Sequence, residues 1–229
     1  MSGLRPGPAG PDSENPSDAS DILCVTNRLL CREPFLKQIE KIAACHPAGI
    51  ILREKDLSEA QYEQLASSVM EICRKNRVPC ILHSFVHAAT VLEAEAIHLP
   101  LPILRSMTKA EKSRFRTIGA SCHSPEEAKE AEQLGCTYLT AGHIFLTDCK
   151  RGVPARGTEF LQRVCECVAV PVYGIGGISP QNISEVRRAG ARGACIMSGL
   201  MQCEDVAGYL EAFCGAHTLC AETGAGERI

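Results

Sequence analysis

The sequence predicts a compact (β/α)8 TIM barrel, a single α/β domain built on a parallel sheet. Three observations carry the prediction. Eight short apolar runs recur along the chain, segments long enough for a helix separate most of them, and capping or turn residues mark the joints. Eight strands in about 200 residues is more than a doubly wound open sheet usually holds, so the closed barrel is preferred.

Residues 1–20 are dominated by Gly, Pro, Ser and Asp and are expected to be a disordered arm. The barrel is assigned to 21–214, with strands expected at 22–26, 49–53, 79–83, 96–99, 117–121, 137–140, 171–175 and 193–197. Ser58-Glu59-Ala60-Gln61 has the spacing of a capping box and opens a helix that runs to Lys75. Ser124-Pro125 and Ser179-Pro180 each place an N-cap hydroxyl before a first-turn proline. Gly135 and Gly190 follow periodic segments, where a left-handed C-cap is wanted. A last helix is expected over 204–213, and 215–229 reads as a loose tail.

Composition excludes several function classes. The chain has 229 residues, 45% of them hydrophobic, enough for one sizeable core; aromatics are only 4% and Trp is absent, so that core must be aliphatic. A net charge of −3 argues against nucleic acid as the main partner, because phosphate-backbone binding wants concentrated Lys and Arg. No apolar run approaches the ~20 residues that cross a bilayer. The first twenty residues lack an apolar signal core, so a cytoplasmic location is expected, with no membrane partner. Fourteen cysteines contain no Cys-x-x-Cys pair and are expected to be small core residues. His83 and His87 stand four apart, but no acidic or thiol neighbour completes a metal set there.

In a barrel of this kind the reacting groups sit at the C-terminal strand ends, and phosphate is often held after strands seven and eight. The sixth strand runs into a long loop over 140–157, too rich in Gly, Lys and Arg to be a plain connector. It holds His143 at its start, then Thr147 and Lys150. Histidine suits proton transfer, its unperturbed pKa being ~6.5, although a buried structural histidine is an equal alternative. His98 and His123, at other strand ends, are weaker candidates. Gly176-Gly177 and Ser198-Gly199 end the seventh and eighth strands, where backbone N–H groups could cradle phosphate; a simple chain turn is the competing reading. Arg53, Lys55 and Lys150 would add cations, and Ser121 ends the fifth strand.

Several of these stretches are familiar together. Leu52-Arg53-Glu54-Lys55, His98-Leu99, Ile118-Gly119-Ala120-Ser121, Gly142-His143 through Lys150, Arg156-Gly157, Ile175-Gly176-Gly177-Ile178 and Ile196-Met197-Ser198-Gly199 occur in one order and spacing. In this the chain resembles the thiamine-phosphate synthase/TenI family over about 22–213, whose fold is a small (β/α)8 barrel.

The resemblance implies one of two activities. The synthase branch couples a pyrimidine pyrophosphate to a thiazole phosphate with magnesium. It carries Asn-Asp after the third strand and an acidic residue after His-Leu-Gly at the fourth. Here those positions read His83-Ser84 and His98-Leu99-Pro100-Leu101-Pro102-Ile103, and Ile51 replaces a usual glutamine. Serine and isoleucine cannot supply the carboxylate oxygens that hard cations want.

Gly142-His143 with Thr147-Asp148-Cys149-Lys150 resembles instead the thiazole tautomerase branch, which aromatises a thiazole carboxylate phosphate by a proton shift. That branch needs no metal and no organic cofactor. The resemblance makes His143 the proton carrier, Gly176, Gly177, Ser198 and Gly199 the phosphate site, and Arg53, Lys55, Ser121, Thr147 and Lys150 the substrate contacts. Its partner is a small phosphorylated thiazole, and a homodimer is the assembly it points to. The tautomerase is the first expectation, the synthase the second, and a non-catalytic barrel that binds a phosphorylated ligand and regulates the third.

Overall fold

The computed structural model describes residues 21–147 and 152–215. The expected arm, all but the first residue of the expected tail, and Asp148, Cys149, Lys150 and Arg151 of the long loop lie outside the described residues.

Eight parallel strands close into a barrel in chain order: β1 (Ile22–Val25), β2 (Gly49–Leu52), β3 (Cys80–His83), β4 (Ala96–Pro100), β5 (Thr117–Cys122), β6 (Tyr138–Gly142), β7 (Val172–Ile175) and β8 (Gly193–Ile196), which pairs back onto β1. Every expected strand is present, with ends displaced by no more than two residues. Closure leaves no edge, so each strand is covered on both faces and reads as an apolar run rather than an alternating one. The stretches Ile-Leu-Cys-Val, Gly-Ile-Ile-Leu and Gly-Ala-Cys-Ile are buried throughout.

The two faces still differ. Ile22, Cys24, Ile50, Leu52, Ile97, Leu139 and Ala194 pack outward into the main cluster beneath the helices. Leu23, Val25, Ile51, Ile81, Tyr138 and Cys195 form a second cluster inside the barrel. Period-two alternation carries that inward parity up each strand to Arg53, His83, His98, Ser121 and Thr140.

The helices are α1 (Phe35–Ala44), α2 (Glu59–Lys75), α3 (Val86–Val91), α4 (Leu101–Ser106), α5 (Lys109–Lys112), α6 (Pro125–Gln133), α7 (Gly157–Cys167), α8 (Ile183–Arg188), α9 (Ser198–Gln202) and α10 (Val206–Gly215). Ser58 and Gln61 form the expected capping box on α2, and Ser124 accepts from the Glu127 N–H at the start of α6. Gly135 and Gly190 adopt φ of +92° and +89°, the left-handed conformation that ends a helix.

One expectation is corrected. Ser179-Pro180 does not open the helix after β7; α8 begins at Ile183. The Asn182 side chain is spent on the turn, accepting from Ser179 N at 2.9 Å and donating to the Gly177 carbonyl at 3.0 Å. His83 ends β3 while His87 lies in α3, and neither belongs to a group of three or more potential metal-ligating side chains among the described residues.

The core is aliphatic with few rings. Tyr62 of α2 is fully buried and bridges two strands, donating to the Leu52 carbonyl at 2.7 Å and accepting from His83 N at 2.8 Å. The described cysteines are free thiols, none exposed, and burial raises the thiols of Cys24, Cys122 and Cys195. None of the described helices is long and apolar enough to cross a membrane.

Candidate active site

The inward parity gathers a polar layer at the C-terminal end of the barrel. His98 Nδ1 lies 2.9 Å from the Tyr138 hydroxyl, and its Nε2 lies 2.9 Å from Ser121 Oγ. Thr140 Oγ1 donates to Ser121 Oγ at 3.3 Å. His83 stacks on His98 with ring centroids 5.7 Å apart, and the Ser84 hydroxyl sits 2.8 Å from its Nδ1. Burial pushes both imidazoles down to about 3, and the charges of Arg53 and Lys55 push His83 the same way. Both rings are therefore neutral near pH 7. Of the expected substrate contacts, Ser121, Arg53 and Lys55 thus meet around this layer.

His143 follows β6 directly, as expected, but it does not face open solvent. It is 8% exposed, and its Nε2 lies 3.3 Å from the Val153 carbonyl of the returning loop. The loop closes on itself: Arg156 N donates to the His143 carbonyl at 3.1 Å and Gly157 N to the Ile144 carbonyl at 3.0 Å. On its other side it runs beside β7, with Ile144 N donating to the Ile175 carbonyl and Phe145 N to the Gly176 carbonyl. His123, exposed at the end of β5, lies with its Nδ1 3.0 Å from the Gly142 carbonyl and props the residue before His143. Thr147 is half-buried and closes the described part of the loop; Lys150 is outside it.

The two glycine turns lie where phosphate was expected, but packing already explains the glycines. Gly176 and Gly177 have φ of +97° and +68°, and a β-carbon at either would strike the loop between His143 and Leu146. A β-carbon at Gly199 would strike the Tyr209 ring. What favours an anion is the state of the helix start: no side chain caps α9, whose first residue is Ser198, so its leading N–H groups have no side-chain acceptor. Ser198 itself is exposed.

Glu54 was a residue whose role the sequence left unread. It is the one buried carboxylate among the described residues, and it accepts from Thr26 Oγ1 at 2.7 Å and from the Arg28 backbone N–H at 3.0 Å. Arg28 Nη1 adds a third contact at 3.1 Å before the same guanidinium reaches Asp56. Thr26 Oγ1 also accepts from Arg53 N at 2.9 Å, so this cluster ties the exits of β1 and β2 together beside Arg53. An acid between Arg53 and Lys55 at a strand end, with outward parity, was the available signal.

These residues do not fit the magnesium ion of the synthase branch. The strand ends where its carboxylates belong offer the His83 imidazole, the Ser84 hydroxyl and the apolar run from Leu101 to Ile103. Glu54 is already saturated by Thr26 and Arg28. Magnesium requires several oxygen ligands, carboxylates foremost; neutral imidazole nitrogens are poor substitutes for them, and the positive charges of Arg53 and Lys55 beside them repel the ion. No group of three or more potential metal-ligating His, Cys, Asp or Glu side chains occurs among the described residues.

Fold and site together define a small (β/α)8 barrel whose polar centre and longest loop both lie at the C-terminal strand ends, the usual place for chemistry in this architecture. The thiamine monophosphate synthase family model matches residues 22–200. The chain belongs to that family, a family of thiamine-synthesis enzymes. It is 33% identical to thiamine-phosphate synthase 2 of Streptococcus pneumoniae serotype 4 over 202 residues, covering 86% of this chain and 94% of the relative. With the thiamine-phosphate synthase of Syntrophomonas wolfei it shares 32% identity over 198 residues, covering 84% and 93%. Among solved structures it is similar to the thiamine phosphate pyrophosphorylase from Pyrococcus furiosus, with a TM-score of 0.75 and 27% identity, covering 90% of this chain and 98% of that one. These names stand behind the synthase, the second expectation from sequence, rather than behind the tautomerase.

Proposed function

We propose that the chain acts on a phosphorylated thiazole in thiamine synthesis, as a metal-independent thiazole tautomerase. The observation that carries this is the donor set at the ends of β3 and β4: neutral His83, Ser84 and an apolar turn, flanked by Arg53 and Lys55, with no carboxylate to hold magnesium. Such a mouth attracts an anionic substrate but not a pyrophosphate that arrives with a divalent cation. The phosphate lies against Gly176, Gly177, Ser198 and Gly199 at the uncapped start of α9, and Arg53, Lys55, Ser121, Thr147 and Lys150 contact the ring carboxylate or the phosphate.

The chemistry is an isomerisation. A proton leaves the ring carbon that bears the carboxylate, the double bonds shift, and a proton arrives at the exocyclic alkene carbon, leaving the aromatic thiazole. Aromatisation supplies the driving force, so positioning and one acid/base group suffice. His143 is that group. Its Nε2 must first exchange the Val153 carbonyl for the substrate, a rearrangement of the 143–157 loop; such contacts commonly tighten onto substrate only in the complex.

The second reading is the thiamine-phosphate synthase itself, and the names of relatives at 33% and 32% identity favour it. One experiment separates the two. The thiazole tautomer is incubated with the protein and followed by proton NMR; in parallel, thiamine phosphate formation from both coupling substrates is measured with and without magnesium. Isomerisation that survives chelation of divalent ions is expected. Robust magnesium-dependent coupling without isomerisation would replace the tautomerase by the synthase, and ligand binding with neither reaction would leave the regulatory barrel.

A further inference from the structure

The polar chain inside the barrel has a direction. Tyr138 is buried and its phenol is raised by that burial, so it keeps its proton. Among the described residues its hydroxyl has one hydrogen-bond acceptor, His98 Nδ1 at 2.9 Å. A buried hydroxyl donates wherever an acceptor is in reach, so the Tyr138 O–H points at Nδ1. An imidazole that is neutral and accepts at Nδ1 carries its proton on Nε2. That N–H donates to Ser121 Oγ at 2.9 Å, and the Thr140 hydroxyl donates to the same oxygen at 3.3 Å. Thr140 Oγ1 also lies 3.4 Å from His98 Nε2, so the three groups form one cluster in which Ser121 Oγ takes two donors and its own hydroxyl donates to no other group among the described residues.

We infer that Tyr138 and His98 are positioning residues that hold the Ser121 hydroxyl as a hydrogen-bond donor toward a carboxylate or phosphate oxygen of the bound ligand. The ligand half of this inference rests on the strand-end mouth being the substrate site; the proton assignment does not.

Two further observations support the assignment. A β-carbon at Gly119, which faces the same interior, would fall on both the Tyr138 ring and His98 Nδ1, so glycine at 119 is what lets these two groups meet. His83 stacks on the His98 ring at an interplanar angle of 18°, which fixes the plane in which its nitrogens point. The assignment also decides what Ser121 is not. A serine 2.9 Å from a histidine nitrogen has the spacing of a nucleophile and its base, but a protonated Nε2 has no lone pair to receive the serine proton. Ser121 therefore binds and does not attack.

The test uses the full-length protein labelled with 15N-histidine. A long-range proton–nitrogen correlation spectrum at neutral pH is expected to show His98 as a single tautomer, protonated on Nε2 and bare at Nδ1. A ring protonated on Nδ1 overturns the inference with no mutation needed. Tyr138→Phe removes the group that holds Nδ1 as an acceptor; the ring is expected to sample both tautomers, and affinity for the aromatic thiazole carboxylate phosphate, measured by calorimetry, is expected to weaken about tenfold. Ser121→Ala is expected to weaken it similarly while His98 keeps its wild-type tautomer. Wild-type affinity in either variant overturns the inference. A protein that fails to isomerise the thiazole yet shows the Nε2-protonated ring loses the functional proposal and keeps the relay, so the two failures are distinguishable.

Discussion

Gly176 and His143 meet so closely that no side chain fits at position 176. A β-carbon built there falls on the β-carbon of His143, and the backbone holds a φ of +97° that favours glycine. The hydrogen bonds from Ile144 N to the Ile175 carbonyl at 2.9 Å and from Phe145 N to the Gly176 carbonyl at 3.0 Å lock the β7 exit to the histidine loop, backbone against backbone. The glycine turn expected to hold phosphate is therefore also the seat of the proposed catalytic residue.

Gly176→Ala tests that packing. Left-handed strain and the collision with His143 add, so a loss of roughly 1–3 kcal/mol in stability is expected, with turnover falling by more than the unfolded fraction explains. Thermal unfolding and initial rates measured on the same preparation decide it; a variant as stable and active as the parent would mean the turn and the loop are not coupled.

His143→Gln tests the proton carrier. Removal of a positioned acid/base group is expected to lower isomerisation by ~10²–10⁴-fold, while affinity for inorganic phosphate is unchanged because the proposed phosphate contacts come from backbone N–H groups and Ser198, not from the imidazole. Rates within a few-fold of wild type would move the proton transfer to another residue.

Glu54 should be structural rather than chemical. Glu54→Ala leaves the Arg28 backbone N–H and Thr26 hydroxyl without their partner, and a loss of about 2–4 kcal/mol is expected in urea unfolding. Asp56, the exposed member of the same cluster, should matter little when changed to Ala. Equal effects of the two substitutions would show that the cluster acts through net charge and not through its buried geometry.

Stability should fall on mild acidification before the carboxylates titrate. His83 and His98 are held near 3 in the fold and return to ~6.5 when unfolded, so between those values the unfolded chain binds more protons. Stability is fully present above about pH 6.5 and declines as pH drops through the window below it, by about 2 kcal/mol per ring at pH 5 at most. Chemical unfolding from pH 7.5 to 5 measures the slope. His98→Asn should remove about half of it, and a flat profile would mean that one or both rings are reached by water.

Much of this was legible along the chain because local rules governed it. The strands showed as apolar runs since a closed parallel barrel buries both faces, and Ser58, Ser124, Gly135 and Gly190 marked helix ends through their own backbone and side-chain chemistry. Ser179-Pro180 failed as a helix start for a tertiary reason: Asn182 is drawn into the Gly177–Ser179 turn, and α8 can begin only after it. The placement of His143 at a strand exit was foreseeable; its cover, the Val153 carbonyl ten residues on, was not.

By itself the sequence determined the eight-stranded barrel, the family and the chemical inventory of the strand ends, including which carboxylates are missing, because periodicity, capping and residue identity at matched positions are properties of short stretches. Only the tertiary structure decided how those residues are used. Tyr138 and His98 are 40 positions apart and Thr26 and Glu54 are 28 apart, and nothing local relates either pair. Barrel closure brings alternate residues of neighbouring strands onto one interior surface, and there proximity, burial and the supply of donors fix which imidazole is neutral, which carboxylate is spent and which hydroxyl receives two donors.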